Sequence, residues 1–148
     1  MPISTRPPSI EVLDREECLR LLGETTFGRL AINLRSDVPM IRPVNYSFDE
    51  RTQSIVFRTD FGSKFRGVLI SGKAAFEIDG VDHARRSGWS VIVSGGVSKV
   101  TNYLELERFG HLGLDPWAPG PKLHWARIRV WTVSGRRVTA ADGDDAVY

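Results

Sequence analysis

Between Pro39 and Gly67 the chain reads PMIRPVNYSFDERTQSIVFRTDFGSKFRG, and this stretch carries most of the residues whose types and spacing could do chemistry. Over Met40–Phe48, alternation puts Met40, Val44, Tyr46 and Phe48 on one side of a strand, with Arg42 among them. A guanidinium on an apolar side is costly unless it is paired. Arg42 therefore calls for a buried carboxylate or for an anionic ligand. Further along, Phe57-Arg58-Thr59-Asp60 ends a strand, Phe61-Gly62 turns, and Ser63-Lys64 opens a helix. Backbone N–H groups, the Thr59 and Ser63 hydroxyls and the Lys64 ammonium would converge at that helix N-terminus, a corner suited to a phosphate. Arg58 could add charge, whereas Arg66 reads as solvated. The competing reading is a capped helix with solvated basic residues.

The elements that would position these groups are mostly strands. From Asp14, DREECLRLL has an acidic cap with Glu17 three residues later and gathers Leu13, Cys18, Leu21 and Leu22 on one side, which predicts a short helix ending near Gly23. Leu30, Ile32 and Leu34 then alternate into a turn at Ser36-Asp37-Val38-Pro39. MIRPVNYSF, SIVFRTD, KAAFEID, WSVIVSG and HWARIRVWTV read as further strands, separated by turn residues such as Asp49-Glu50 and Asp79-Gly80. SKFRGVLISG has some helical character, and Leu104, Leu106 and Phe109 of TNYLELERFG predict a second short helix. Six strands joined mostly by short turns favour a closed or partly closed antiparallel barrel over a doubly wound parallel sheet. Ser94-Gly95-Gly96-Val97-Ser98-Lys99 lacks phosphate-loop spacing and reads as a hairpin turn.

Composition narrows the partners. A chain of 148 residues, 41% hydrophobic and 26% charged, is one ordinary domain, read as residues 1–13 an N-terminal arm, 14–138 the barrel and 139–148 an acidic tail. A net charge of +2 without a run of five like charges argues against nucleic acid. The lone Cys18 forbids an internal disulfide and reads as core packing. Without a signal-like or membrane-spanning apolar stretch, the expectation is a cytoplasmic protein that does not engage a membrane. His83, His111 and His124 lie too far apart, with no clustered Cys or carboxylate, to predict a metal site. Trp125, Arg127, Arg129 and Trp131 alternate with Ala126, Ile128 and Val130, and that Arg–Trp face suggests an interface or a cation–π ladder within one subunit. Trp117, inside Asp115-Pro116-Trp117-Ala118-Pro119-Gly120-Pro121, is either a cover over a bound ligand or a peg fixing the loop.

RPVNY, a strand ending in threonine, and S-K opening a helix together resemble the pyridoxamine 5′-phosphate oxidase-like flavin-binding split barrels, especially small actinobacterial members. FGRLAI after a short helix, KAAFEIDGVD, GWSVIVSG and RIRVWTVSGRR follow in the expected order, so the likeness runs from about Asp14 to Val138. The resemblance implies a mainly β, six-stranded antiparallel split barrel. It implies that Arg42, Pro43, Val44 and Asn45 line an isoalloxazine ring and that Thr59, Ser63 and Lys64 hold the terminal phosphate with help from Arg58. It further implies a homodimer with the cofactor at the subunit interface, where Trp131 would join the cofactor-binding set. The expected cofactor is FMN, with a deazaflavin coenzyme or haem as alternatives. The expected activity is hydride transfer between the flavin and a small organic acceptor, with a non-enzymatic flavin or haem carrier as the alternative. Arg42 would favour a reduced, anionic flavin, and no catalytic acid or base is nominated. The vitamin-salvage oxidases carry a longer C-terminal portion, whereas this chain ends soon after SGRRVTA, so pyridoxamine phosphate oxidation itself is not expected.

Overall fold

A computed structural model of the chain describes residues 6–33, 38–59, 72–114, 117 and 124–141. Leu34, Ser63, Lys64, Arg66 and the expected short helix after Gly62 lie outside the described residues. The elements are β1 (Ser9–Leu13), α1 (Arg15–Glu24), β2 (Phe27–Ile32), β3 (Met40–Asn45), β4 (Ser47–Asp49), β5 (Ser54–Thr59), β6 (Lys73–Asp82), β7 (Ser87–Lys99), α2 (Tyr103–Gly110), β8 (His124–Arg129) and β9 (Thr132–Thr139). Among the described residues there are thus nine strands rather than six.

Helix α1 starts as its sequence dictates, with the Asp14 carboxylate accepting from the Glu17 N–H at 2.8 Å. Its buried stripe is Cys18, Leu21 and Leu22, and burial pushes the Cys18 thiol above its ordinary pKa, as expected of a packing cysteine. The last turn has no basic residue, but two of its carbonyls are met: Thr25 donates through N–H and hydroxyl to Leu21 O, and the Tyr46 hydroxyl donates to Leu22 O at 2.7 Å.

The strands run in the order β3-β2-β6-β7-β8-β5-β4, all antiparallel, with β9 against β7 and β1 against β9. The two ends of that path, β3 and β4, are consecutive in the chain and separated only by Tyr46, so the sheet curls back on itself. Tyr46 is fully buried at this corner, edge-on to Phe76 with ring centroids 4.9 Å apart. Around it pack Leu22, Leu30, Ile55, Phe57, Phe76, Ile78, Val91, Val93 and Ile128, all essentially buried. Each such side chain contributes roughly 1.5–3 kcal/mol by leaving water. A smaller cluster of Val56, Val100, Phe109 and Trp125 forms on the opposite side of β5 and β8 beneath α2.

Several expectations are corrected. Ser9–Leu13, read as part of an arm, is a strand paired with β9 from Ser9↔Thr139 to Leu13↔Gly135. The run Met40–Phe48 is broken at the Tyr46 corner. Asp79-Gly80 is not a turn: both residues lie inside β6, which turns at residues 83–86. A Cβ on Gly80 would lie 2.5 Å from the Trp89 indole nitrogen, so any larger residue there would have to displace that ring. Ser94–Lys99 is not a hairpin turn either, but the stretch where β7 passes from β9 to β8. A Cβ on Gly95 would lie 1.6 Å from the Arg129 carbonyl oxygen, so the crossing needs glycine. The predicted strand Trp125–Val133 is interrupted at the same place, where the N–H groups of Val130 and Trp131 donate to Gln53 O and Ser94 O.

Candidate functional site

The barrel opens where β3 and β5 part. Pairing of β4 with β5 starts at Ser47↔Val56, and the same register carried back along the chain would set Thr59 opposite Val44. Among the described residues the two strands are not paired there, which leaves a gap, the mouth, between the edge of β3 and the end of β5. Among the described residues β3 bonds only to β2, which leaves its other edge of N–H and C=O groups open. Pro43, lacking an N–H, is tolerated on such an edge strand.

Register fixes which way each sequence-predicted residue faces. Arg42 is opposite Leu30 and Val44 opposite Gly28, so both take the barrel-side face, where Val44 packs against the core. Arg42 nevertheless stays exposed, with Nη2 only 3.9 Å from Met40 Sδ. The buried guanidinium expected from alternation is therefore corrected: an edge strand beside an open mouth solvates it, so no buried carboxylate is needed. Pro43 and Asn45 face outward with their partners Arg29 and Phe27. The segment thus offers groups on both faces of one edge strand.

Thr59 shares its face of β5 with buried Ile55 and Phe57 and so belongs to the mouth, whereas Arg58 points the other way. The Arg58 guanidinium lies 5.5 Å from the centre of the Trp125 ring, and its Nε is buried without a hydrogen-bond partner. Arg58 and Thr59 therefore do not converge within the described residues. Ser63 and Lys64 lie outside them.

Trp131 does not lie at the mouth. It follows the end of β8 remote from Thr59, which pairs with His124 at the other end. Its exposed ring leans over Gly96 and borders a recess of about 410 Å³ with Ala31, Pro39, Lys73 and Ser94. The Arg–Trp face is likewise divided. Trp125 and Arg127 are covered by α2, Arg127 pairing with Glu105 at 2.5 Å while one of its terminal nitrogens, Nη1, is left unpartnered, and only Arg129 and Trp131 remain outside. The Arg127 hydrogen bond holds the Glu105 carboxyl below its ordinary pKa. Arg108 of α2 also clasps buried Asp49 through both terminal nitrogens, so two ion pairs anchor the helix to the barrel.

Sequence reasoning missed the outward cluster beside Asn45. Phe27 stacks on Trp117 with centroids 5.3 Å apart and planes 16° from parallel, and the Trp117 N–H donates to Asn45 Oδ1 at 2.9 Å. Arg29, next on that face, bridges Glu77 at 3.0 Å and Asp79 at 3.2 Å. Burial, then the neighbouring Asp79, raises the Glu77 carboxyl above its ordinary pKa. Alternating Phe27, Arg29 and Ala31 against Gly28, Leu30 and Ile32 was the available signal.

A wider trough of about 950 Å³ lies at the β6–β7 turn, bordered by Asp82, Arg85, Trp89 and Arg137. None of the candidate cofactor-binding residues lines it, and its Arg137 is engaged by Glu11 and Glu17. The mouth is the better candidate. Among the described residues, an unpaired backbone edge and an exposed guanidinium beside Val44, Phe57 and the strand-end Thr59 suit a planar, heteroatom-rimmed, anionic group such as a flavin. Among the described residues there is no group of His, Cys, Asp or Glu able to hold a metal, and no helix long and apolar enough to cross a membrane.

Comparison with known proteins agrees with this geometry. A family model described as pyridoxamine 5′-phosphate oxidase matches residues 14–137. An uncharacterized protein of Mycobacterium tuberculosis is 32% identical over 133 residues, covering 86% of this chain and 85% of its own. Among solved structures, a candidate pyridoxamine 5′-phosphate oxidase from Corynebacterium glutamicum superposes with a TM-score of 0.76 at 30% identity, covering 88% of this chain and 94% of its own. A FAD-binding protein from Mycobacterium smegmatis does so with a TM-score of 0.72 at 31% identity, covering 86% and 98%. Matched along most of its length and curled into the same split barrel, the chain belongs to the pyridoxamine 5′-phosphate oxidase-like family of flavin-binding folds.

Proposed function

We propose that this protein is a flavin-dependent oxidoreductase that passes a hydride between a flavin held at the β3–β5 mouth and a small organic acceptor. The observation that carries the reading is Arg42, exposed on the open edge of β3, with Thr59 across the gap on the same barrel-side face. A bound flavin supplies the hydride chemistry itself. The chain supplies position and field. The β3 edge groups would hold the ring, Arg42 would favour negative charge on it, and Thr59 precedes the Ser63–Lys64 segment proposed to take the phosphate. FMN is the cofactor the phosphate corner suggests. The similarity to an FAD-binding protein of M. smegmatis makes FAD an equal candidate, and a deazaflavin coenzyme, with carbon in place of ring nitrogen N5, has a similar tricyclic shape and a phosphate.

We also propose a homodimer that completes the site. Ile41, Val81 and Ile92 are exposed on the outward face of the sheet, and neither helix among the described residues covers them. Trp131, remote from the mouth of its own subunit, would reach the cofactor from a partner.

The test is a titration of the apo-protein with FMN, FAD, the deazaflavin coenzyme and haem, followed by anaerobic mixing of the flavin-loaded protein, reduced with dithionite, with quinone and nitroaromatic acceptors. Saturable one-per-subunit flavin binding that is lost in Lys64→Ala, together with turnover, supports the proposal. Tight flavin binding without turnover of any acceptor would make the protein a carrier. Haem binding alone, or no binding, would sink the flavin reading.

A further inference from the structure

We propose that the open face of Trp117 is a stacking subsite for a flat aromatic ring bound at the Asn45 end of β3, a reading that rests on the flavin site proposed above. Trp117 is 70% exposed, although a tryptophan side chain gains more than any other residue by burial. Its ring is not loose: Phe27 lies nearly parallel to it, and its backbone N–H is fixed on the Asn45 side chain. Among the described residues the stack covers one face of the indole, and nothing covers the other.

Two further features favour a ring over an aliphatic occupant. Phe27 and Asn45 are register partners, so the stack stands beside the open edge of β3, whose N–H and C=O groups can reach ring heteroatoms. The nearby Arg29 is held by Glu77 and Asp79, which leaves the bare indole face as the recognition element on this side. Stacking on an indole selects planarity and tolerates many ring identities. Two sources fit: the adenine of a dinucleotide flavin, or the ring of an aromatic acceptor such as a quinone.

Trp117→Ala and Trp117→Phe separate these sources. The apo-protein is titrated with FMN and with FAD, and the FMN-loaded protein with menadione. If adenine is the occupant, Trp117→Ala weakens FAD about tenfold, equivalent to about 1.4 kcal/mol, and leaves FMN unchanged. If the acceptor is the occupant, FMN and FAD keep their affinities and menadione binding weakens about tenfold. In either case Trp117→Phe retains most of the affinity. Three unchanged affinities would overturn the subsite, as would unchanged affinities with a shifted monomer–dimer equilibrium, since the indole would then be a subunit contact. Wild-type protein that binds neither flavin would overturn the flavin reading and the subsite with it, whereas indifference of Trp117→Ala in a flavin-binding protein overturns the subsite alone.

Discussion

Replacing Tyr46 by phenylalanine should loosen the corner that sets β3 against β4 without emptying the core. The ring stays against Phe76, and only the hydroxyl is lost. That hydroxyl donates at 2.7 Å to Leu22 O, a carbonyl in the last turn of α1 with no partner further along the helix. Burial holds the phenol well above its ordinary pKa, so it remains a donor throughout the working range. Losing one partner of a buried hydrogen bond costs about 1–3 kcal/mol, because the remaining acceptor stays out of water. For a domain of this size that corresponds to a fall in Tm of roughly 2–10 °C. Urea unfolding should show a lower midpoint with an unchanged slope, the sign of lost stability rather than a changed denatured state. Tyr46→Ala should cost more, about 3–5 kcal/mol, by opening a cavity. A Tyr46→Phe protein within about 0.5 kcal/mol of wild type would refute the idea that this bond clamps helix to corner.

Other expectations follow from the same geometry. Gly95→Ala should prevent β7 from crossing between β9 and β8, because its Cβ would collide with the Arg129 carbonyl; a well-behaved variant with wild-type thermal stability would contradict the close approach. Burial opposes ionisation of Asp49, but its bonds to Arg108 and Thr52 prevail and hold the carboxyl below the ordinary value of 3.8. Its contribution is therefore fully present above about pH 4 and is lost as pH falls through the depressed value, so Asp49→Asn should lower stability at pH 7 and flatten the acid limb of a pH–stability profile. Arg42→Ala should make a bound flavin harder to reduce. A unit charge about 5 Å away at an effective dielectric of 20–80 is worth roughly 1–3 kcal/mol. For a two-electron couple that is a shift of about 20–70 mV to lower potential, readable by equilibration with reference dyes.

Much of the architecture was legible because local chemistry and tertiary role agreed. Asp14 caps the helix its sequence announces, and the β2–β3 hairpin follows the alternation of Leu30 and Ile32. What was hidden depends on distant partners. Ser9–Leu13 is exposed at all but Leu13, Thr132–Thr139 is half-exposed and rich in small or charged residues, and each is recognisable only from the strand beside it. Gly80, Gly95 and Gly96 read as turns, yet sit inside strands because Trp89, the Arg129 carbonyl and Trp131 press against them. Arg127 looked like an interface residue because alternation shows that a face is unusual without showing that α2 covers it. At the site, the RPVN segment was readable as unusual, but the exposure of Arg42 follows from the open mouth, which is a property of the closed sheet. The division of Arg58 from Thr59 was available from alternation alone, since neighbours on a strand face opposite ways.

The most direct test of the β3–β5 mouth as a flavin site is the dissociation constant of FMN and FAD for wild-type protein beside Arg42→Ala and Thr59→Val. One flavin per subunit, with each substitution weakening binding about tenfold while unfolding curves stay unchanged, is the expected result. Wild-type protein that takes up no flavin, or variants that bind it as tightly as wild type, would contradict it.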